Sequence, residues 1–274
     1  MQIIYIVLKE NYIHIIKVEG DFMLMLYFSG TGNSKYIAEK FSEKSNGVCY
    51  SIEDKIDFKN EIKKHDTIGF CYPIYASNVP RIMREFVSKN IESLKYKKLI
   101  IFCTQLMFSG DGARVFTDLL PNGYGEVIYA EHFNMPNNLC YSGIFPVKNG
   151  EQIKKYINNA DKKINRICKD LENGKIKKRG FNKVSNLIGK CQSGPWLSIE
   201  EKNKSSVKVD EDCIKCGLCA RICPMKNLNL TTKEIVHNDN CMICYRCVNA
   251  CPKKAITVLI HNKPKKQYKG IKIK

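Results

Sequence analysis

From Met23 onward, short apolar runs alternate with stretches whose apolar residues recur every three or four positions. The runs at 24–28 (LMLYF), 47–52 (GVCYSI), 66–73 (DTIGFCYP), 97–104 (KKLIIFCT) and 125–133 (GEVIYAEHF) predict five strands. Helical spacing falls between them: at 33–45 with Tyr36, Ile37 and Phe41 on one side, at 79–90 with Pro80 in the first turn, after a Gly-containing loop at 113–120, and at 150–175. Apolar strands alternating with helices predict a parallel sheet covered on both faces. Residues 176–205 are mixed, basic and polar, and predict a partly helical connector. From Ser206 the segments shorten and cysteines crowd in, which marks a second, smaller domain over 206–262 before a basic tail at 263–274.

Residues 1–22 have no counterpart in the rest of the chain. We expect translation to start at Met23 or Met25, each directly before the first strand; the alternative for 1–22 is an extra β-hairpin. The opening apolar run is too short for a secretory signal, and no apolar stretch approaches the roughly 18 residues of a membrane span. A cytoplasmic, reducing location is expected, with the 14 cysteines as thiols or metal ligands.

The cysteines are the strongest chemical signal. DCIKCGLCARICPM (212–225) and NCMICYRCVNACPK (240–253) both read C-x2-C-x2-C-x3-C-P. Three thiolates at i, i+3 and i+6 on a tight loop suit three irons of one cubane, and the Pro after the fourth turns the chain away, so the fourth ligates the other cluster. Cys213, Cys216, Cys219 and Cys251 then hold one [4Fe–4S] cluster, and Cys241, Cys244, Cys247 and Cys223 the other. Two zinc knuckles would need neither the third Cys nor the Cys-Pro. Residues 206–260 resemble bacterial two-cluster ferredoxins; VKV (207–209) and AITVLI (255–260) would be the small strands of that fold, with a loop in the gap between the repeats.

A second motif lies at the first strand–helix turn, where Ser29, Gly30, Thr31, Gly32, Asn33 and Ser34 combine glycines with hydroxyls at a helix N-terminus, a phosphate-binding arrangement. It is neither G-x-G-x-x-G nor a Walker loop. It resembles the phosphate loop of flavodoxins, and residues 23–260 as a whole resemble flavodoxin–ferredoxin fusion proteins of anaerobic prokaryotes. The resemblance implies a flavodoxin-like doubly wound α/β domain over 23–175, strand order 2-1-3-4-5, with FMN at the switch point. It also implies that the flavin ring lies between Pro73, Ile74, Tyr75, Ala76 and Ser77 of one loop and Thr104, Gln105, Gly110, Asp111 and Gly112 of the next, with Tyr75 as its aromatic contact. The second loop lacks a stacking Tyr, so one flavin face is left for the cysteine domain, a substrate or FNMPNN (133–138) to cover. His132, beside that last segment, is a candidate proton donor.

The net charge of +18 raises nucleic acid as a partner, but no groove-reading motif accompanies it, and anionic cofactors would offset part of it. The basic runs at 174–180 and 262–274 read as solvated surface or as a docking face for an acidic redox protein. The expected function is electron passage between two [4Fe–4S] clusters and FMN, ending in reduction of a small acceptor, with a non-enzymatic carrier between redox proteins as the alternative.

Overall fold

In the computed structural model, residues 4–9, 12–17, 23–141 and 145–271 are described. Strands β1 (Ile4–Lys9) and β2 (Tyr12–Lys17) pair antiparallel in a sheet of their own, which is the hairpin alternative for this segment. The main sheet has the order β4 (Val48–Ser51), β3 (Leu24–Tyr27), β5 (Thr67–Pro73), β6 (Lys98–Gln105), β7 (Glu126–Asn134) and β8 (Lys177–Lys178), parallel throughout. This is the doubly wound 2-1-3-4-5 arrangement with a sixth strand at the edge that the sequence did not predict.

Side-chain alternation divides the core. Leu24, Leu26, Ile68, Phe70, Leu99 and Ile101 point to one face, which α2 (Phe58–Lys63) and α3 (Arg81–Lys89) cover with Ile62, Met83 and Val87. Met25, Cys71, Ile100, Phe102 and Tyr129 point to the other, under α1 (Asn33–Ser45) and α4 (Lys154–Glu172). Every one of these residues is buried.

β8 lies beside a buried charge. Glu131 in β7 is fully buried, and it pairs with Lys163 (3.4 Å) and Arg166 (3.0 Å) of α4, with Lys177 (2.8 Å) of the edge strand and with Arg179 (3.1 Å) just after it. Two members of the basic run at 174–180, Lys177 and Arg179, thus answer a buried charge. Burial opposes ionisation of Glu131, but the Lys177 hydrogen bond, the nearby Lys163 charge and the His132 N–H prevail and hold its carboxyl at about 2 against an ordinary 4.5. That stabilisation is complete above pH 4.5 and is lost as pH falls toward about 2. Glu131→Gln strands four cations and is expected to destabilise the domain by about 3–5 kcal/mol at neutral pH, read as a drop in the urea midpoint at unchanged slope.

The connector is mostly one helix, α5 (Lys183–Lys202), capped by Asn182, whose side chain accepts from Ser185 N–H. In the cysteine domain, β9 (Val207–Val209) pairs antiparallel with β12 (Ile256–Val258), as expected. The short helices α6 (Leu218–Arg221) and α7 (Arg246–Ala250) succeed the two cysteine loops. The gap between repeats is a correction: it is the hairpin β10 (Leu228–Leu230) and β11 (Ile235–His237), registered by Asn227, whose side chain accepts from the N–H groups of Asn238 (3.2 Å) and Asn240 (2.6 Å). Met242 and Cys244 pack into the core of the sheet domain, so the two domains share apolar interior.

Candidate functional site

The turn from Ser29 to Ser34 opens α1 without a side-chain cap. Gly32 takes a left-handed φ of 101°, and its N–H donates to Ser29 Oγ (3.0 Å). The hydroxyls and amides of the turn are fixed by long-range bonds: Ser34 Oγ to Thr104 Oγ1 (2.8 Å), Asn33 Nδ2 to Pro136 O (2.9 Å) and Asn138 Nδ2 to Thr31 Oγ1 (3.0 Å). The first-turn N–H groups and the positive helix end remain available to an anion.

Above this turn is a cavity of about 260 Å³. Ser29, Gly30, Thr31, Asn33, Ser34, Pro73, Ile74, Tyr75, Ala76, Thr104 and Gln105 line it, as the sequence predicts. Its other walls are Leu106, residues 136–139, Trp196 of α5 and the cysteine-domain segment Ile243–Cys244–Tyr245. The segment at 133–138 and the cysteine domain therefore do supply cover, but Trp196, the chain's single tryptophan, was missed because nothing in the connector's pattern aims it here.

Five expected lining residues are not brought to the cavity wall, Gly32 of the turn being the first. Ser77 is fully buried and donates to Gln192 Oε1 of α5 (2.5 Å). Gly110, Asp111 and Gly112 form a seat for the same helix: a Cβ on Gly110 would collide with Gly189 N, and one on Gly189 would meet the Asp111 carboxylate, which pairs with Arg114 (2.7 Å). α5, which the sequence gives only as a partly helical connector, packs against these residues. His132 also lies off this wall. Its Nε2 accepts from Ala113 N–H (3.2 Å), and burial, with Arg179 second, holds it neutral down to about pH 4, which removes it as a proton donor to the cavity.

The eight motif cysteines fall into two groups. Cys213, Cys216, Cys219 and Cys251 line one depression. Cys223 acts instead on Cys241, Cys244 and Cys247, whose thiols are pushed up by burial first and by neighbouring thiols as well, Cys244 to about 12. The fourth cysteine of each motif thus lies near the first three of the other. The repeat extends to the backbone. Lys215 and Ile243, Gly217 and Tyr245, and Lys226 and Lys254 are matched left-handed positions in the two motifs. Matched N–H groups also donate to sulfur: Lys215 to Cys213, Ile243 to Cys241, Asn227 to Cys223 and Ala255 to Cys251, all at 3.2–3.4 Å. A β-branched Ile at positive φ costs on the order of 1–3 kcal/mol, a strain that persists where a surrounding site demands the loop shape. The two groups differ in exposure, for Cys216 is exposed whereas Cys241 and Cys244 are buried, Cys244 against the cavity.

Two orphaned donors face the cavity. Among the described residues, the Tyr75 hydroxyl and the Trp196 indole N–H are buried without partners, their rings 5.9 Å apart on the wall. A Cβ on Gly30 would fall 2.9 Å from Cys244 O, so only glycine lets the phosphate turn press against the cysteine loop. Arg246, between Cys244 and Cys247, locks that contact. Its guanidinium donates to Ser29 O (2.8 Å), Gly30 O (3.2 Å) and Ile222 O (2.9 Å), pairs with both oxygens of Glu53 (2.6 and 2.7 Å), and lies over Phe28. Arg81 of α3 adds bonds to Asn240 O (2.8 Å) and Cys241 O (3.2 Å).

The tail crosses the same junction. Tyr268 is buried and donates to Asn33 Oδ1 (2.6 Å), while its own N–H donates to Asn249 Oδ1 of α7 (2.7 Å). Gly270 lies so close to the phosphate turn that a Cβ there would be 3.0 Å from Thr31 O.

Residues 24–138 match the family model for the flavodoxin domain, and residues 212–255 that for the 4Fe-4S dicluster domain. No curated protein matches the chain. Among solved structures, the two-electron reduced flavodoxin of Megasphaera elsdenii is 20% identical over 51% of this chain and 98% of its own, with a TM-score of 0.36. Oxidised flavodoxin 2 of Bacillus cereus is 17% identical over 51% and 94%, with a TM-score of 0.34. A flavoprotein of Lactobacillus acidophilus in complex with FMN is 16% identical over 41% and 93%, also at 0.34. Among the described residues, no helix is long and apolar enough to cross a membrane.

Proposed function

We propose that this chain, a flavodoxin domain fused to a 4Fe-4S dicluster domain and hence an iron–sulfur flavoprotein of electron transfer, carries two [4Fe–4S] clusters and FMN as one internally wired unit. The observation that carries this reading is the shared wall: Ile243, Cys244 and Tyr245 of the second cysteine set face the phosphate turn and the Tyr75 loop across one cavity. Clusters exchange single electrons and FMN one or two, so the joined set converts between the two kinds of traffic.

The residues take defined parts. Ser29 to Ser34 hold the phosphate at the α1 terminus. Pro73 to Ala76, Thr104 and Gln105 hold the ring, with Tyr75 and Trp196 supplying the unpaired donors. Cys213, Cys216, Cys219 and Cys251 form the outer set, open to solvent at Cys216; Cys241, Cys244, Cys247 and Cys223 form the inner set beside the flavin loops. With clusters bound, the outer set, exposed at Cys216, would be the side open to a partner, and the inner set, with Cys244 on the cavity wall, the side next to the flavin. A volume of about 260 Å³ is small beside the usual 300–1,000 Å³ of ligand pockets, so one bound group fills it. We favour the carrier reading over an FMN-dependent reductase because Trp196 of α5 and the cysteine-domain segment Ile243–Cys244–Tyr245 cover this cavity. A redox protein, acidic to suit the net charge of +18, is the partner this implies.

Purified without oxygen, the protein is expected to contain about eight irons and eight sulfides per FMN. A colourless sample, or one holding zinc, sinks the proposal. The reduced protein should be reoxidised rapidly by a redox protein and slowly across a panel of small organic acceptors; fast turnover of one such acceptor would restore the reductase reading.

A further inference from the structure

A second cavity, of about 560 Å³, opens beside the first at the carboxyl ends of β7 and β8, the end of a parallel sheet where ligands bind. One wall is a stripe of α4 and the turn before it: Gln152, Lys155, Tyr156, Asn159 and Lys163 recur at helical spacing, with the small Ala160 leaving room among them. Phe133 and Asn134 form the floor, and Lys148 and Arg179 close the sides. Among the described residues, no carboxylate lines it. Glu131 is sealed beneath and shared among four cations, so one negative charge answers Lys163, Arg166, Lys177 and Arg179 together. Lys148 lies over the Tyr156 ring, and Lys266 reaches the rim at Gln152 Oε1 (3.4 Å). Burial, with the Arg179 and Arg166 charges adding to it, lowers the proton affinity of Lys163 even though Glu131 is at hand. The groove is thus a concave surface with unbalanced positive charge, neutral amide groups and two aromatic rings.

We propose that this groove is a binding site for a small phosphate-bearing polyanion, separate from the phosphate turn that receives FMN. Lysines act as point charges with rotatable donors, a better match to phosphoryl oxygens than to a planar carboxylate. Arg179 is already engaged with Glu131, so Lys148 and Lys155 are the groups left to meet the ligand. Asn134 Oδ1 accepts from Gln105 Nε2 (2.9 Å), and Gln105 lines the first cavity, so the two sites share a wall.

Inorganic pyrophosphate is the probe, titrated calorimetrically into the full chain with its cofactors, anaerobically and at low salt. Saturable 1:1 binding is expected, weakened on the order of 10-fold or more in Lys148→Ala/Lys155→Ala and unchanged in Lys59→Ala/Lys89→Ala on the far side of the sheet. Phosphorus-31 line broadening by wild type and not by the double variant supplies a readout independent of heat. Absence of saturable binding overturns the proposal. So does equal affinity in the Lys148/Lys155 variant, or displacement by sulfate at the same ionic strength, which would leave only diffuse attraction to a basic protein.

Discussion

Arg246→Ala is expected to destabilise the holoprotein by about 2–5 kcal/mol and to release flavin on gel filtration, because one side chain spans both domains. Its guanidinium is mostly buried, and its donors are divided among Ser29 O, Gly30 O, Ile222 O and Glu53. Removing it strands three carbonyls and the Glu53 carboxylate, and opens the Gly30–Cys244 contact on which the shared cavity wall depends. Arg246→Lys keeps the charge but not the planar fork, so it should recover only part of the loss. Glu53→Gln, which keeps the shape and one acceptor, should cost less than either, since Glu53 is partly exposed. Anaerobic urea unfolding gives the stability, and the flavin absorbance that stays with the protein peak gives the retention. An alanine variant as stable as wild type, with flavin kept, would mean that the domains are held by Met242 and Arg81 and that Arg246 merely fills space.

What the sequence makes legible depends on how locally each feature is specified. The central strands are apolar on both faces, so 24–28, 66–73 and 97–104 stand out without help. α1 spans 33–45, as its spacing predicts, and the cysteine spacing is a distance constraint written directly in the chain. β8 gives no such signal. Two lysines form a strand where one of them, Lys177, pairs with Glu131, far away in sequence. α5 is obscured because its contacts are scattered along it: Gly189 meets Asp111, Gln192 meets Ser77, Glu200 pairs with Arg84, and Trp196 meets both Tyr75 and the apolar cluster of the cysteine domain. No single hydrophobic face results, and Pro195 within it further hides the helix. The misplacement of Ser77 and of Gly110 to Gly112 has the same origin, since a loop's wall depends on what lies over it. The junction itself is illegible for a similar reason, as Glu53 and Arg246 are ordinary surface residues until the domains meet.

The tail is the remaining case, and it carries the second large prediction. NKPKKQYKGIK reads as a solvated basic run, yet Gln267 and Tyr268 are buried. The Gln267 amide donates to Val248 O (2.8 Å) and Cys251 O (2.7 Å), Tyr268 binds both Asn249 and Asn33, and Lys269 N–H donates to Asn149 Oδ1 (2.9 Å). The strap therefore joins α7, the phosphate turn and the approach to α4 within a few residues. Ending the chain at Lys266 exposes the Val147–Ile153 surface under Tyr268 and frees the Asn33 side chain. Burying an aromatic side chain contributes about 1.5–3 kcal/mol and each hydrogen bond about 1 kcal/mol, less the entropy of ordering the strap. The net loss is expected to be about 2–4 kcal/mol, together with faster flavin release, because the strap crosses the turn that receives the phosphate. Tyr268→Phe keeps the packing and loses only the bond to Asn33, so it should cost about 1 kcal/mol. If truncation leaves the thermal midpoint and the flavin off-rate unchanged while Tyr268→Phe is also silent, the strap is passive and the phosphate turn is held by Ser34, Thr104 and Arg246 alone. If both respond in that order, the C-terminal segment is part of the flavin site, and the basic run owes its place to packing across the domain junction more than to charge.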